Sequence, residues 1–164
     1  MNPKFENLKI YCKSIVKLND IEVDLIDEFF EVVHLKKNEM LLNEGQICDF
    51  IGFISSGTIR HYHIKEGSEK TCDLSFENAW VTDFQSFTSK KYCTINLQAL
   101  EKTKVFIIRK INLDKMYAEC KTFETFGRLM LENVVLRTTN ITMSLSSEKP
   151  EQRVKNLIDK QPEM

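Results

Sequence analysis

The sequence has almost no surplus of charge. Its 164 residues contain 23 Lys and Arg against 24 Asp and Glu, a formal net charge of -1. A protein that binds nucleic acid or an anionic membrane by itself usually has a basic surplus, so this balance argues against both roles for the chain alone. No apolar run approaches the roughly 18 residues of a membrane span, and the N-terminus, MNPKFENLKIYCKS, lacks the apolar centre of a signal peptide. We therefore expect a cytoplasmic protein with no membrane partner.

The sequence also lacks the common catalytic motifs. It has no G-x-S-x-G elbow, no Walker loop, no G-x-G-x-x-G turn and no H-E-x-x-H helix. Its five cysteines are scattered without a C-x-x-C pair, which argues against a zinc site or a disulfide framework and favours reduced, mostly buried thiols: Cys12, Cys48, Cys72, Cys93 and Cys120. We expect neither an enzyme nor a cofactor.

One histidine pair is the best candidate for a metal site. His61 and His63 are two positions apart on a predicted strand, so both side chains point to the same face, and Glu66 follows closely. Glu66 falls in the predicted turn, however, and a metal centre normally needs at least three protein ligands. A metal-dependent enzyme of cupin type is therefore a hypothesis that ranks below the two given at the end of this section, and we expect no metal.

The segment Leu41–Thr71 defines the predicted fold. Gly45, Gly57 and Gly67 separate short runs of β-branched and aromatic residues, a pattern typical of antiparallel strands joined by tight turns. Further short strands follow as far as Arg109. The sequence thus predicts a mainly β domain with flanking helices, built as a jelly roll or barrel.

Helical periodicity is found on both sides of the β region. Two amphipathic helices are predicted between Asn7 and His34, with Asn19 or Asp20 as the cap of the second, and a short helix begins at Asn112. A longer helix is predicted from Thr122 to Leu145. One of its faces has heptad spacing with asparagine at alternate positions, which predicts a parallel homodimer through helix 122–145; the seam residues are Leu129, Asn133, Leu136, Asn140 and Met143. The alternative is a helix that packs only on its own domain.

Aromatic and hydroxyl side chains alternate between residues 78 and 94, in a predicted loop or short helix. The start of such a helix offers backbone N–H groups to an anion, so this segment is the candidate ligand site; simple loop packing is the alternative.

The order of these elements resembles the cyclic-nucleotide-binding-like sensor domain of the Crp/Fnr family of transcription regulators. The resemblance rests on Leu41-Leu42-Asn43-Glu44-Gly45, on Ile51 to Gly57, on the Lys65 to Glu69 hairpin and on Ala99 to Thr103. It implies a double-stranded β-helix, or jelly roll, followed by a long dimerisation helix. It further implies a sensor domain over residues 1–145 and, over 146–164, the start of a truncated DNA-binding domain, with Ser147 as the N-cap of its first helix.

The resemblance also implies where a nucleotide would bind. Nucleotide-binding members have a phosphate cassette with a Gly-Glu pair and, further on, an Arg-Ser or Arg-Thr pair; here Thr82-Asp83 and Cys93-Thr94 stand at those positions. A thiol cannot replace the charge-assisted contact of an arginine with a phosphate. We therefore expect a degenerate cassette that does not respond to cyclic AMP; its residues are Thr82, Asp83, Ser86, Cys93 and Thr94.

Two functions remain open at this point. The first is the sensor portion of a Crp/Fnr-type regulator with an unknown effector, which binds DNA only through a downstream domain. The alternative is a stand-alone small-molecule-binding or protein-interaction module without DNA binding.

Overall fold

The computed structural model describes residues 3–147. A short 3-10 helix, Pro3–Phe5, precedes five α-helices: α1 (Glu6–Ile15), α2 (Asp20–Phe29), α3 (Phe84–Ser89), α4 (Lys110–Glu119) and α5 (Lys121–Ser147). The eight strands are β1 (Glu31–Leu35), β2 (Met40–Leu42), β3 (Phe50–Ser56), β4 (Ile59–Lys65), β5 (Ser68–Ser75), β6 (Trp80–Val81), β7 (Asn96–Ala99) and β8 (Thr103–Arg109).

The strands form two four-stranded antiparallel sheets that enclose the core. The first has the order β1-β8-β3-β6 and the second β2-β7-β4-β5. Buried residues from both sheets, such as Leu35, Ile54, Ile59 and Leu97, form one cluster between them. This arrangement confirms the predicted fold class, a jelly-roll-like β domain with flanking helices and a long C-terminal helix.

The central strands of the first sheet are buried on both faces. Ile54 and Val105 point into the core between the sheets, and their neighbours Phe53 and Phe106, which point to the opposite face, are also fully buried. Aromatic contacts explain this second buried face, because the ring of Phe5 lies 4.8 Å from that of Phe106 and the ring of Trp80 lies 5.1 Å from that of Phe53. Burial on both faces is why β8 has a continuous apolar run rather than an alternating one.

Asn19 caps α2, as one of the two predicted candidates. Its side chain accepts a hydrogen bond from the Glu22 backbone N–H, and the Glu22 carboxylate accepts one from the Asn19 N–H, each at 2.9 Å. This reciprocal pair is a capping box, which fixes the start of the helix.

Two sequence-based boundaries were wrong. Residues 31–33 do not continue the second helix. They begin β1, because the β-branched pair Val32-Val33 forms ladder bonds with β8. Helix α4 starts at Lys110 rather than with Asn112 as its cap, since the Lys110 N–H already donates to the Asp49 carbonyl at 2.6 Å. Ser147 is the last described residue of α5, and the further helix predicted to follow it lies outside the described residues.

The chain divides into two compact units, residues 1–123 and 124–164, of which the structure describes 3–123 and 124–147. The first contains both sheets and α1 to α4; the second consists of the greater part of α5. Among residues 3–147, no helix is both long and apolar enough to cross a membrane. Residues 148–164, where most of the expected DNA-binding segment falls, lie outside the described part.

Candidate functional site

Asp83, the second residue of the cassette (residues 82–94), organises the start of the helix that follows it. Asp83 is buried, and its Oδ1 accepts the Ser86 backbone N–H at 2.9 Å, while its carbonyl accepts the Phe87 N–H at 2.8 Å. Asp83 is thus the N-cap of α3. The helix start was expected to offer N–H groups to an anion, but these two are already engaged by Asp83.

Ser86 joins the cassette to the loop before β3. Its hydroxyl donates to the Lys91 carbonyl at 2.6 Å and accepts the Cys48 backbone N–H at 2.9 Å. The side chain is almost fully buried. Both capacities of the hydroxyl are therefore used within the protein, and the bond to Cys48 crosses 38 positions of sequence.

Thr82 is fixed in the same way. Its hydroxyl donates to the Phe50 carbonyl at 2.8 Å. The Cys48 Sγ lies 3.4 Å from the Thr82 Oγ1. These contacts connect the cassette to the preceding loop in one polar cluster, which consists of Thr82, Ser86 and Cys48.

Cys93 occupies the position of the arginine that the resemblance expects. It is only 3% exposed, and its thiol donates to the Asn43 carbonyl at 3.0 Å. Its backbone bonds to the Gly45 N–H and to the Gln46 carbonyl. Burial raises the pKa of the Cys93 thiol from its ordinary value, and the negative charge of Asp83 adds to the effect. This part of the cassette therefore contains a neutral thiol close to a carboxylate.

The structure brings four of the five predicted cassette residues together. Thr82, Asp83, Ser86 and Cys93 all bond within the cassette or to the segment 43–50, whereas Thr94 is exposed. The sequence reasoning missed Cys48 and the loop Asn43–Gln46. The glycine at position 45 marked a turn there, but no local pattern indicates that this turn meets residues almost fifty positions later.

The predicted seam residues of α5 differ in exposure. Leu129 is half-buried and Asn133 is exposed, while Leu136 and Met143 are 62% and 63% exposed. The side chain of Asn140 lies outside the described residues. Leu131, Val134 and Val135 are also substantially exposed, so the apolar surface of α5 is wider than a single heptad line.

His61 and His63 both lie on β4, where each is partly buried. His61 pairs with Asp73, His63 with Lys70, and the His61 Nε2 lies 2.9 Å from the Ser75 hydroxyl. Glu66 is in the turn, with a φ of 54°. Within the part of the chain that the structure describes, no group of three or more His, Cys, Asp or Glu residues is arranged to hold a metal ion.

The sequence profile of the family described as "Cyclic nucleotide-binding domain" matches residues 32–120. This match covers the two sheets, the cassette and α4, and it spans more than half of the chain. The chain belongs to the cyclic nucleotide-binding domain family. A comparison with curated proteins finds no match.

Solved structures with this fold include sensors of transcription regulators. The catabolite activator protein of Thermus thermophilus has 17% identity and a TM-score of 0.63, with 80% of this chain and 61% of that chain covered. The sensor domain of the regulator DNR from Pseudomonas aeruginosa has 16% identity and a TM-score of 0.62, with 89% and 94% covered.

A cyclic nucleotide-binding domain from Methylobacillus flagellatus gives 16% identity and a TM-score of 0.65, with 87% of this chain and 85% of that chain covered. The chain thus spans about three fifths of the Thermus protein but most of the two isolated domains. The predicted resemblance to Crp/Fnr-like sensor domains is confirmed in the fold.

Proposed function

We propose that this domain is the sensor portion of a Crp/Fnr-type transcription regulator, that it dimerises through α5, and that its cassette does not respond to cyclic AMP. The observation that carries the proposal is Cys93, a buried neutral thiol bonded to Asn43, at the position where the family resemblance places a phosphate-binding arginine.

The physical argument concerns the phosphate charge. A singly charged phosphate that leaves water needs an opposite charge or several strong donors, because burial of an unpaired ion costs several kcal/mol or more. In the cassette it would instead meet the Asp83 carboxylate beside the Cys93 thiol. Lys90 and Lys91 lie nearby in sequence but are exposed, and an exposed ion pair contributes little binding energy.

The hydrogen bonds of the cassette add a second barrier. A ribose hydroxyl would compete with the Ser86 N–H for Asp83, and displacement of that bond would remove the cap of α3. The two groups best placed to contact a nucleotide are thus already committed to holding the cassette closed.

Isothermal titration calorimetry with cyclic AMP tests the proposal. We expect no saturable heat, which corresponds to a Kd weaker than about 1 mM, or less than about 4 kcal/mol of binding free energy. The regulatory domain of Toxoplasma gondii protein kinase A, which has been co-crystallised with cyclic AMP, is a suitable positive control. Saturable binding of cyclic AMP with a Kd in the micromolar range would overturn the proposal.

The wide exposed apolar surface of α5 favours the alternative, an interaction module without DNA binding. The two functions differ in one measurement, a gel shift with the complete natural gene product and DNA from its own promoter region. The regulator proposal requires salt-sensitive, sequence-selective binding. A gene product that leaves such DNA unshifted would support the interaction module.

A further inference from the structure

A cavity opens at the surface of the first compact unit, lined by residues of the segments 33–50 and 107–109. It has a volume of about 360 Å³, within the range of about 300 to 1,000 Å³ that is usual for small-molecule sites. Its floor is apolar and belongs to the core, since Leu35, Leu42, Phe50 and Ile107 are each under 7% exposed. The cavity therefore reaches from the surface to the side chains between the two sheets.

The rim of this cavity is polar and contains one cation. Arg109, the last residue of β8, forms an ion pair with Asp49, and both side chains are about half exposed. Both hydrogen bonds start from the same nitrogen, with Nη1 at 2.8 Å from Oδ1 and 3.1 Å from Oδ2. Asp49 therefore does not use the Nη2 and Nε edge of the guanidinium.

Gln46, which also lines the cavity, has a side-chain amide. Its side-chain oxygen accepts the Asn43 backbone N–H at 3.0 Å, a bond that orients the amide and does not use its nitrogen. Gln46 and Ile47 complete the rim, and Ile47 is 49% exposed. An apolar floor, an apolar rim residue, a guanidinium and an amide thus line one opening.

The loop 46–49 separates the cavity from the cassette. Gln46, Ile47 and Asp49 line the cavity, whereas the Cys48 backbone bonds to Ser86 of the cassette. Of the residues that line the cavity, the cassette bonds only to the backbone carbonyls of Gln46 and Phe50, and none of the five predicted cassette residues lines the cavity, so the inference below stands whether or not the cassette binds a nucleotide.

We propose that this cavity binds a small amphipathic monocarboxylate, of the medium-chain fatty acid type. The aliphatic chain lies on Leu35, Phe50 and Ile107, and the carboxylate accepts hydrogen bonds from the Nη2 and Nε edge of Arg109 while Asp49 keeps Nη1. A guanidinium offers a planar pair of donors that matches a carboxylate, so this edge of Arg109 selects an acid over an alcohol of the same length, although the Asp49 carboxylate on the same rim opposes the anion. The chain of such an acid also fits a cavity of this size.

The test is a titration of the full 164-residue protein, labelled with 15N, with sodium octanoate and in parallel with 1-octanol, followed by NMR. We expect saturable shifts at the amides of Ile47, Asp49 and Arg109. Octanoate should bind about tenfold more tightly than octanol, since a charge-assisted hydrogen bond contributes about 1.5 kcal/mol or more.

Three variants make the result specific. Arg109→Gln should reduce octanoate affinity to the level of octanol, whereas Lys102→Gln, which removes one exposed charge elsewhere, should leave it unchanged. Ile47→Trp should fill the opening and abolish binding of both compounds; because Ile47 is half exposed, this variant tests the site even if Arg109→Gln fails to fold. The proposal is overturned if these amides show no saturable shift, if both compounds bind equally, or if Ile47→Trp leaves binding intact.

Discussion

At the scale of single residues, two glycines in turns show that the stability cost of a substitution has two parts, one from local conformation and one from tertiary contacts. Gly57 and Gly67 both have positive φ, 92° and 73°, a region that residues with a Cβ rarely adopt. Their surroundings differ. A Cβ on Gly57 would lie 2.8 Å from the Cα of Thr103 and 2.9 Å from the Lys102 carbonyl oxygen, whereas a Cβ on Gly67 would meet nothing within 4 Å.

We therefore expect Gly57→Ala to cost more than Gly67→Ala. The substitution at Gly67 carries only the conformational cost of about 1 to 2 kcal/mol, and the one at Gly57 adds a clash with backbone of about 1 to 3 kcal/mol. Urea unfolding of both variants gives the difference directly. Equal losses of stability would contradict the close approach of Gly57 to the start of β8.

Glu22 is a second residue whose bonds reach beyond its own helix. Besides the capping box, its carboxylate accepts the Thr122 hydroxyl at 2.6 Å and the Cys120 thiol at 3.3 Å. These bonds lower the pKa of Glu22 from its ordinary value of 4.5, and the Thr122 hydroxyl contributes most. A lowered folded-state pKa means stability that is present above pH 4.5 and is lost as the pH falls through the folded value.

Glu22→Gln should accordingly be less stable than the parent at pH 7, with a gap that closes in acid. Glutamine keeps a side-chain oxygen at the third helical position, so the variant mainly removes the charge. Melting temperatures of both proteins from pH 7 to pH 3 should converge below about pH 4.5. A gap that stays constant over this range would show that the charge of Glu22 is not the source of the effect.

At the scale of elements, α1 and α2 are joined by a buried ion pair. The Lys9 side chain is only 4% exposed, and its Nζ lies 2.6 Å from Oδ2 of Asp27, whose side chain is 25% exposed. The other carboxylate oxygen of Asp27 is buried and, within residues 3–147, has no hydrogen-bond partner. Loss of Lys9 would therefore leave an uncompensated, largely buried negative charge.

Lys9→Met should destabilise the protein by about 2 to 3 kcal/mol, less than the roughly 3 to 5 kcal/mol typical of a fully buried pair because Asp27 retains some exposure. The double variant Lys9→Met, Asp27→Leu should recover most of that loss, since both charges are then absent. A double-mutant cycle in urea measures the coupling. Additive losses would mean that the pair does not hold the two helices together.

The elements also show what the sequence could and could not predict. The glycine turn at Gly67 and the Asn19 cap depend on neighbouring residues, and both were predicted correctly. At the start of α4, the Lys110 N–H bonds to the Asp49 carbonyl, about sixty positions earlier. In the cassette, the Cys93 thiol donates to the Asn43 carbonyl, fifty positions away. Contacts of that kind arise from strand pairing and leave no periodic signal in the chain.

At the scale of the whole molecule, the two compact units differ in how much of their apolar surface is buried. Both sheets and their core lie within the first unit, while much of the apolar surface of α5 in the second is exposed, including Leu131, Val135, Leu136 and Met143. An exposed apolar surface of this width is unusual for a monomeric protein and is typical of an interface. The heptad line through Leu136 and Met143 predicts a second copy of the same helix as the partner.

The proposed dimer is tested by light scattering coupled to size-exclusion chromatography. The parent protein should have the mass of two chains, and Leu136→Asp should have the mass of one, because a carboxylate at a seam position would be buried without a partner. Thr138→Asp tests the other face: Thr138 is exposed and lies about 200° around the helix, on the side of Leu131, Val134 and Val135, so the dimer should persist if the seam runs through Leu136. A monomeric parent at micromolar concentration, or a Leu136→Asp variant that remains dimeric, would contradict a seam through Leu136.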